Sequence, residues 1–336
     1  MTKVAAAVLL VIRAAGAAWA APPAPLPESP AWVTISTEEL RARYDTLWAV
    51  SDLHGRLQAL EALLLAAGLA VRDEVGSVHW TPGRARQLLV VVGDCIDAGP
   101  DSVGVVFLLH ALQDEAAAAG SRIVVLLGNH EVDFLANPRR ASGELVSSAS
   151  RAGLRLTRKG AGEQLAVGEF GRFLRAMPAM AFVGSWLFAH AGYLDADGEA
   201  GLRAYFSRLA SSWAQEDGDR YRRLRDSRSV VSYHGWWRSG PQRSLLKSHL
   251  AALGLDGLVF GHDPGAFGAP ATIAMGAEGW LTKLDTGLKT GRSGGMFLRC
   301  EVGRLVRGTS LAMSEQGKPT CRALTPDGAV HELPVR

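Results

Sequence analysis

Short apolar runs that stop at a cluster of Asp, Asn, His and Gly recur along the chain. Leu47 to Val50 runs into Ser51-Asp52-Leu53-His54-Gly55, Leu88 to Val92 into Gly93-Asp94-Cys95-Ile96-Asp97-Ala98-Gly99, and Ile123 to Leu127 into Gly128-Asn129-His130-Glu131. Trp186 to Ala189 runs into His190-Ala191-Gly192, and Leu258 to Phe260 into Gly261-His262. Runs this short and continuously apolar predict strands buried on both faces. Between them the period changes. Leu57 to Ala67 carries Leu57, Leu60, Leu63 and Leu64 at helical spacing and stops at Gly68, and Val103 to Ala119 does the same with Val106, Leu109 and Leu112 before Gly120. Alternating strand and helix predict an α/β architecture with at least partly parallel sheets. In such folds ligands gather at the carboxyl ends of the strands, where all five clusters fall. The glycine of each cluster is expected to supply the sharp turn that aims a short side chain into the crevice.

Composition narrows the class without naming a function. The chain has 336 residues, 48% hydrophobic and 21% charged, which suits a globular protein of one large or two ordinary domains and excludes disorder as the dominant state. The apolar runs fall short of the roughly eighteen residues a membrane span needs. A formal charge of +3 is too small to suggest a nucleic-acid footprint.

Residues 1–20 read as a signal peptide. Lys3 gives a positive start, Val4 to Ile12 a short apolar run, and Ala18-Trp19-Ala20 a small-x-small cleavage pattern. The other reading is an alanine-rich first helix; against it, Pro22, Pro23, Pro25, Pro27 and Pro30 follow at once, as in an extended leader. The expectation is an exported protein, periplasmic or secreted, with no stable membrane insertion after cleavage. Of three cysteines, Cys300 and Cys321 lie in the C-terminal stretch, where an oxidising compartment permits pairing that spacing alone does not fix. Cys95 reads as a small buried packing residue.

Any one cluster is ordinary turn chemistry. Five in series offer Asp52, His54, Asp94, Asn129, His190 and His262, an oxygen-and-imidazole set without sulfur, which suits two metal ions of the Mn, Fe or Zn kind. One carboxylate, Asp94, can serve both ions.

Asp52-x-His54-Gly55, Gly93-Asp94-x-x-Asp97-x-Gly99, Gly128-Asn129-His130-Glu131, His190-Ala191-Gly192 and Gly261-His262 resemble the calcineurin-like metallophosphoesterase signature. The Asn-His-Glu form of the third motif resembles the phosphoprotein phosphatase branch. Tyr233-His234-Gly235-Trp236-Trp237-Arg238-Ser239-Gly240 and Lys283-Leu284-Asp285-Thr286-Gly287-Leu288 are similar to segments of the Shewanella-like phosphatases within it. The resemblance implies a two-sheet β-sandwich flanked by helices, with a dinuclear centre at the sheet ends. It assigns Asp52, His54 and Asp94 to the first ion, and Asp94, Asn129, His190 and His262 to the second. It implies a metal-bridging hydroxide as nucleophile, His130 as the acid for the leaving oxygen, and Asp97 as the residue that orients it. The expected substrate is a phosphomonoester or a phosphoprotein. Two alternatives stand beside that reading: a nucleotide pyrophosphohydrolase of the diadenosine-tetraphosphatase type, and a catalytically silent metal-binding module.

The chain departs from the pattern twice. Ala98 occupies the position where the phosphatase branch carries a phosphate-gripping arginine, which leaves Arg238 as the expected phosphate ligand and implies weaker binding. Gly261-His262-Asp263-Pro264 lacks the second histidine of the wider superfamily. His234 neighbours Arg238 and is a minor candidate for the pocket wall; Trp236 and Trp237 are read either as a wall for an aromatic substrate or as core. The expected boundaries are a Pro-rich leader and N-terminal extension over 21–43, the metallophosphoesterase domain over 44–310 with a cap-like helical insertion at 194–228, and a C-terminal tail over 311–336.

Overall fold

The computed structural model describes residues 28–157, 159–214, 219–276, 278–305 and 320–335, so the signal-peptide segment lies outside the described residues. Two six-stranded sheets carry the fold. One runs, edge to edge, through Trp32–Ile35, Met180–Val183, Trp186–Ala189, Gly257–Phe260, Leu281–Lys283 and Ala274–Met275. The other runs through Val330–Glu332, Cys321–Leu324, Phe297–Glu301, Thr46–Val50, Gln87–Val91 and Arg122–Val125. Thr46–Val50, Gln87–Val91 and Arg122–Val125 pair in parallel, as do Trp186–Ala189, Gly257–Phe260 and Leu281–Lys283, while the remaining pairs of the second sheet are antiparallel.

The strands alternate between two apolar layers because successive side chains leave a strand on opposite faces. Leu47, Ala49, Leu88, Val90 and Val124 meet Ala181, Val183, Phe188 and Val259 between the sheets. Trp48, Val50, Leu89, Val91 and Val125 point the other way, onto Leu60, Leu64, Val106 and Leu109 of the helices Leu57–Ala66 and Ser102–Ala118. Burial on both faces is why these strands read as unbroken apolar runs.

The terminal stretches belong to the sheets. Trp32–Ile35, within the stretch expected as an extension, is an edge strand paired in parallel with Met180–Val183. Cys321–Leu324 and Val330–Glu332, within the stretch expected as a tail, extend the second sheet, and a disulfide joins Cys300 to Cys321 across directly paired positions. Much of 194–228 forms the helices Gly198–Ala214 and Asp219–Leu224. Phe206 packs edge-on against Trp32 at 5.4 Å and Leu209 and Trp213 join the same core, so this segment packs into the body of the fold. Among the described residues no helix is long and apolar enough to cross a membrane.

Candidate metal centre and acid–base pair

The five clusters converge where the carboxyl ends of both sheets meet. Asp52 N donates to Gly93 O at 3.0 Å, Gly261 N to His190 O at 2.9 Å, and His262 N reaches the Asp52 carboxylate at 3.0 and 3.1 Å, so motifs from the two sheets are tied directly together. The turns differ from the expectation in one respect. Glycine is not what bends every loop: Asp52, His54, Asp94, Asp97, Ala98 and His262 themselves take positive φ, between 44° and 67°. Such conformations are costly for side-chain-bearing residues and persist where the surroundings dictate them. Gly128 and Gly261 serve by smallness instead, since a Cβ at either would collide with the Asp94 or the Asp52 carboxylate.

Three imidazoles are oriented by backbone carbonyls. His54 Nδ1 lies 3.2 Å from Ile96 O, His190 Nδ1 2.9 Å from Val92 O, and His262 Nε2 3.1 Å from Ser232 O. A carbonyl only accepts, so each of these nitrogens carries a proton and the opposite nitrogen faces the crevice. This is how metal-binding histidines are held. His190 Nε2 lies 3.3 Å from Asp94 Oδ2, 3.2 Å from Asn129 Oδ1 and 3.1 Å from His262 Nδ1. His54 Nε2 lies 3.5 Å from the same Asp94 oxygen and 4.0 Å from Asp52 Oδ1. Potential ligand atoms thus converge on both sides of Asp94, an arrangement that a shared cation would satisfy. The potential ligand atoms of Asp94, His190 and His262 form one tight group and those of Asp94, His54 and His130 another, with Asp94 common to both.

The electrostatics say the same. Asp52 and Asp94 are 2% exposed. Burial, with Asp285 and Asp94 nearby, raises Asp52 well above the usual carboxylate range. Burial would raise Asp94 too, but His190, His130 and His54 together hold it well below. Burial pulls His190 down, yet Asp94 and Asp52 override it and lift the imidazole to about 10; burial and His190 push His262 down to about 2. The buried carboxylates of Asp94 and Asp52 thus favour positive charge in the crevice between them.

His130 sits beside this centre. Its Nδ1 lies 3.0 Å from Asp97 Oδ2, and the other Asp97 oxygen accepts from the Ser142 hydroxyl at 2.5 Å. Burial lowers His130, but the Asp97 bond and the Asp94 charge outweigh it and leave the imidazole raised. A cavity of about 300 Å³ opens on this side, with Phe134, Asn137, Arg140 and Arg225 on its walls. Arg238 follows Trp237 in the segment after His234. Its guanidinium lies 4.8 Å from the Trp237 ring and faces a groove of about 450 Å³ shared with Arg243, Phe267 and Trp280. Trp236 is buried and donates to Ala191 O at 2.8 Å, bracing the His190 turn; Trp237 donates to Asp263 at 2.8 Å; His234 stacks on His262 at 3.7 Å. Cys95 is buried, and burial pushes its thiol up.

Three residues escaped the sequence reading. Glu131, quoted only as part of a motif, accepts four backbone N–H bonds. Ser142 completes the His130–Asp97 chain, although nothing in its local sequence marks it. Lys289, one residue beyond the quoted Lys283–Leu288 segment, places its ammonium 3.1 Å from His130 Nε2.

Residues 46–266, more than half of the chain, match the calcineurin-like phosphoesterase family. The chain belongs to that family. Shewanella-like protein phosphatase 2 of Arabidopsis thaliana is 33% identical to this chain over 110 residues, 32% of this chain and 26% of that protein. An uncharacterised protein of Schizosaccharomyces pombe is 37% identical over 94 residues, 28% of this chain and 27% of its own. The chain therefore matches only about a quarter of the length of these curated relatives. The cold-active protein-tyrosine phosphatase of a psychrophilic Shewanella species superimposes with a TM-score of 0.65 at 18% identity, covering 90% of this chain and 82% of that one. A protein serine/threonine phosphatase of Saccharomyces cerevisiae gives 0.51 at 14%, covering 88% and 84%. These structures share the two-sheet fold.

Proposed function

We propose that the chain is a metal-dependent phosphatase that hydrolyses phosphomonoesters, free or on proteins, at a dinuclear centre of Mn, Fe or Zn. One observation carries the reading. The Asp94 carboxylate is common to two groups of converging ligand atoms, with His54, His190 and His262 each turned toward the crevice by a backbone carbonyl, and a raised, Asp97-bound His130 stands next to it. The donor set fits the metals: Asp52, His54 and Asp94 would hold one, and Asp94, Asn129, His190 and His262 the other. Bound there, two cations supply Lewis acidity, drawing charge from phosphoryl oxygens and acidifying water.

The chain's own groups do the rest. Asp97 accepts a hydrogen bond from His130 Nδ1–H, so the proton available to a leaving oxygen is the one on Nε2. Ser142 holds Asp97 in place, and Asp97 stabilises the imidazolium between transfers. The cavity beside Phe134 and Asn137 adjoins His130 and gives the leaving group room. The match to the Arabidopsis phosphatase supports the activity over the shared third of the chain.

The test uses the full chain stripped of metal, reloaded with Mn, Fe or Zn, and assayed on p-nitrophenyl phosphate beside Asp94→Asn. The expected result is metal-restored turnover that the variant loses. Bound metal without turnover would favour the silent module, and cleavage of a dinucleotide but no monoester the pyrophosphohydrolase. Export is part of the same proposal: the leader-like N-terminus and the Cys300–Cys321 bond support an oxidising compartment, and cell fractionation checks it.

A further inference from the structure

A phosphomonoester reaches this crevice as an anion, and cations held at Asp94 would supply part of the charge that binds it. Arginine in the second motif would add to it, but that position is Ala98. Arg238 lies over the Trp237 ring and lines a groove with Arg243, Phe267 and Trp280. The basic group that the structure does bring to the acid is Lys289. Its Nζ lies 3.1 Å from His130 Nε2, on the face of the imidazole opposite the Asp97 bond, and that Nε2 is 3.9 Å from Asp94 Oδ2.

The main chain under Lys289 is built to hold it there. Leu288–Thr290 is a single tight turn between Gly287 and Gly291, both left-handed at φ 76° and 68°. Gly287 N donates to Asp285 Oδ1 at 2.8 Å. Arg56 donates from Nε to Leu288 O at 3.2 Å and from Nη2 to Lys289 O at 3.0 Å. A Cβ at Gly291 would press on that guanidinium at 3.1–3.2 Å, so glycine lets the loop close over it. Arg56 follows Gly55 directly and precedes the helix Leu57–Ala66. The loop carrying the ammonium is therefore bolted to the motif that carries Asp52 and His54. The side chain itself is exposed, with slack to move from His130 onto an arriving oxygen.

We propose that Lys289 is the phosphate-binding cation of this site: it donates to the non-bridging oxygens of a phosphomonoester, and of the inorganic phosphate released, in place of the arginine that Ala98 replaces. The inference deepens the phosphatase reading and rests on it. An ammonium is a point charge with three rotatable donors rather than a planar fork, so its grip tolerates more orientations of the ester.

The experiment titrates inorganic phosphate into the full, Mn-loaded chain by calorimetry, with metal content and melting temperature measured on each sample. Lys289→Ala and Lys289→Gln are expected to weaken phosphate binding by about tenfold or more, the usual loss for a hydrogen bond to a charged group. Metal content and melting temperature stay at wild-type values, because the side chain is exposed. Lys289→Arg is expected to recover most of the affinity, and the KM for p-nitrophenyl phosphate to rise in step with the dissociation constant. Phosphate binding within about twofold of wild type in both neutral variants overturns the assignment. A wild-type chain that holds metal and phosphate but turns nothing over sinks the phosphatase reading alone, since the titration still measures Lys289. A metal-loaded wild type that binds no phosphate sinks the Lys289 assignment.

Discussion

Glu131 is bonded to the backbone of Asp94: its Oε2 accepts from Asp94 N at 2.9 Å and from Gly128 N at 2.7 Å, while Oε1 accepts from Cys95 N at 2.8 Å and Ile96 N at 3.1 Å. One buried carboxylate thus fastens the second motif to the first turn of the helix Asn129–Ala136. Burial, followed by the Asp94 charge, lifts its carboxyl to about 7; cations at Asp94 would relieve the second cause. Glu131→Ala leaves four backbone donors without their acceptor, at about 1–3 kcal/mol for each that water cannot reach. The expected loss in urea denaturation exceeds about 3 kcal/mol, with metal content falling alongside. Glu131→Gln keeps one acceptor and should fall between. Wild-type stability in the alanine variant would show that the loop is held by other means.

The Ser142–Asp97–His130 chain predicts a graded series. His130→Asn removes the acid and should lower kcat by about 10²–10⁴-fold while the metal stays bound. Asp97→Ala keeps the acid but frees the ring, and should cost less. Ser142→Ala removes one charge-assisted bond to Asp97 and should cost least, at about tenfold. Steady-state kinetics with metal content measured in parallel checks the order. Equal losses at Ser142 and His130 would mean that Ser142 acts on the fold rather than through Asp97.

The convergence of the candidate ligands was legible in the sequence because metal chemistry favours Asp, Asn and His, and because each candidate lies just past a strand recognisable by its unbroken apolar run. Asp52, Asp94, Asn129, His190 and His262 lie together for that reason. The supporting residues were not legible, because their partners are distant in sequence. Glu131 reaches back across 37 residues to Asp94, and Lys289 across 159 to His130. Neither contact follows from periodicity. The terminal strands were hidden differently: Trp32–Ile35 is a short edge strand of mixed burial and Val330–Glu332 a short, fully exposed one, which local composition does not separate from a leader or a tail. Pairing of Cys300 with Cys321 required knowing that their strands are neighbours.

The disulfide offers a test independent of the metal. It closes a separation of 21 residues between adjacent strands whose paired cysteines lie in the core between the sheets. A cross-link of that span is worth about 2–4 kcal/mol. Cys300→Ala with Cys321→Ala, or reduction of the wild type, should lower stability by about that amount while turnover below the transition persists. A loss of activity at full stability would instead couple this sheet edge to the site.

Lys283 predicts a pH dependence with the opposite sign to that of a paired lysine. Its side chain is fully buried, and Nζ donates to Pro264 O at 3.0 Å and Ala269 O at 2.5 Å, pinning the loop that follows His262. Burial lowers the ammonium from 10.5 to about 8, against the pull of Asp285, Asp263 and Asp52. In the unfolded chain the same lysine keeps its proton to about 10.4. Between about pH 8 and 10 the unfolded state therefore binds more protons, and stability rises with pH. Below pH 8 both states are protonated and the full penalty for burying the charge is present, about 3 kcal/mol for a shift of this size. Urea midpoints of the metal-loaded wild type should climb from pH 7.5 to pH 9.5 relative to those of Lys283→Met, which has no proton to lose. Parallel curves would mean that Lys283 stays charged in the folded protein, with the two carbonyls and the nearby carboxylates compensating its burial.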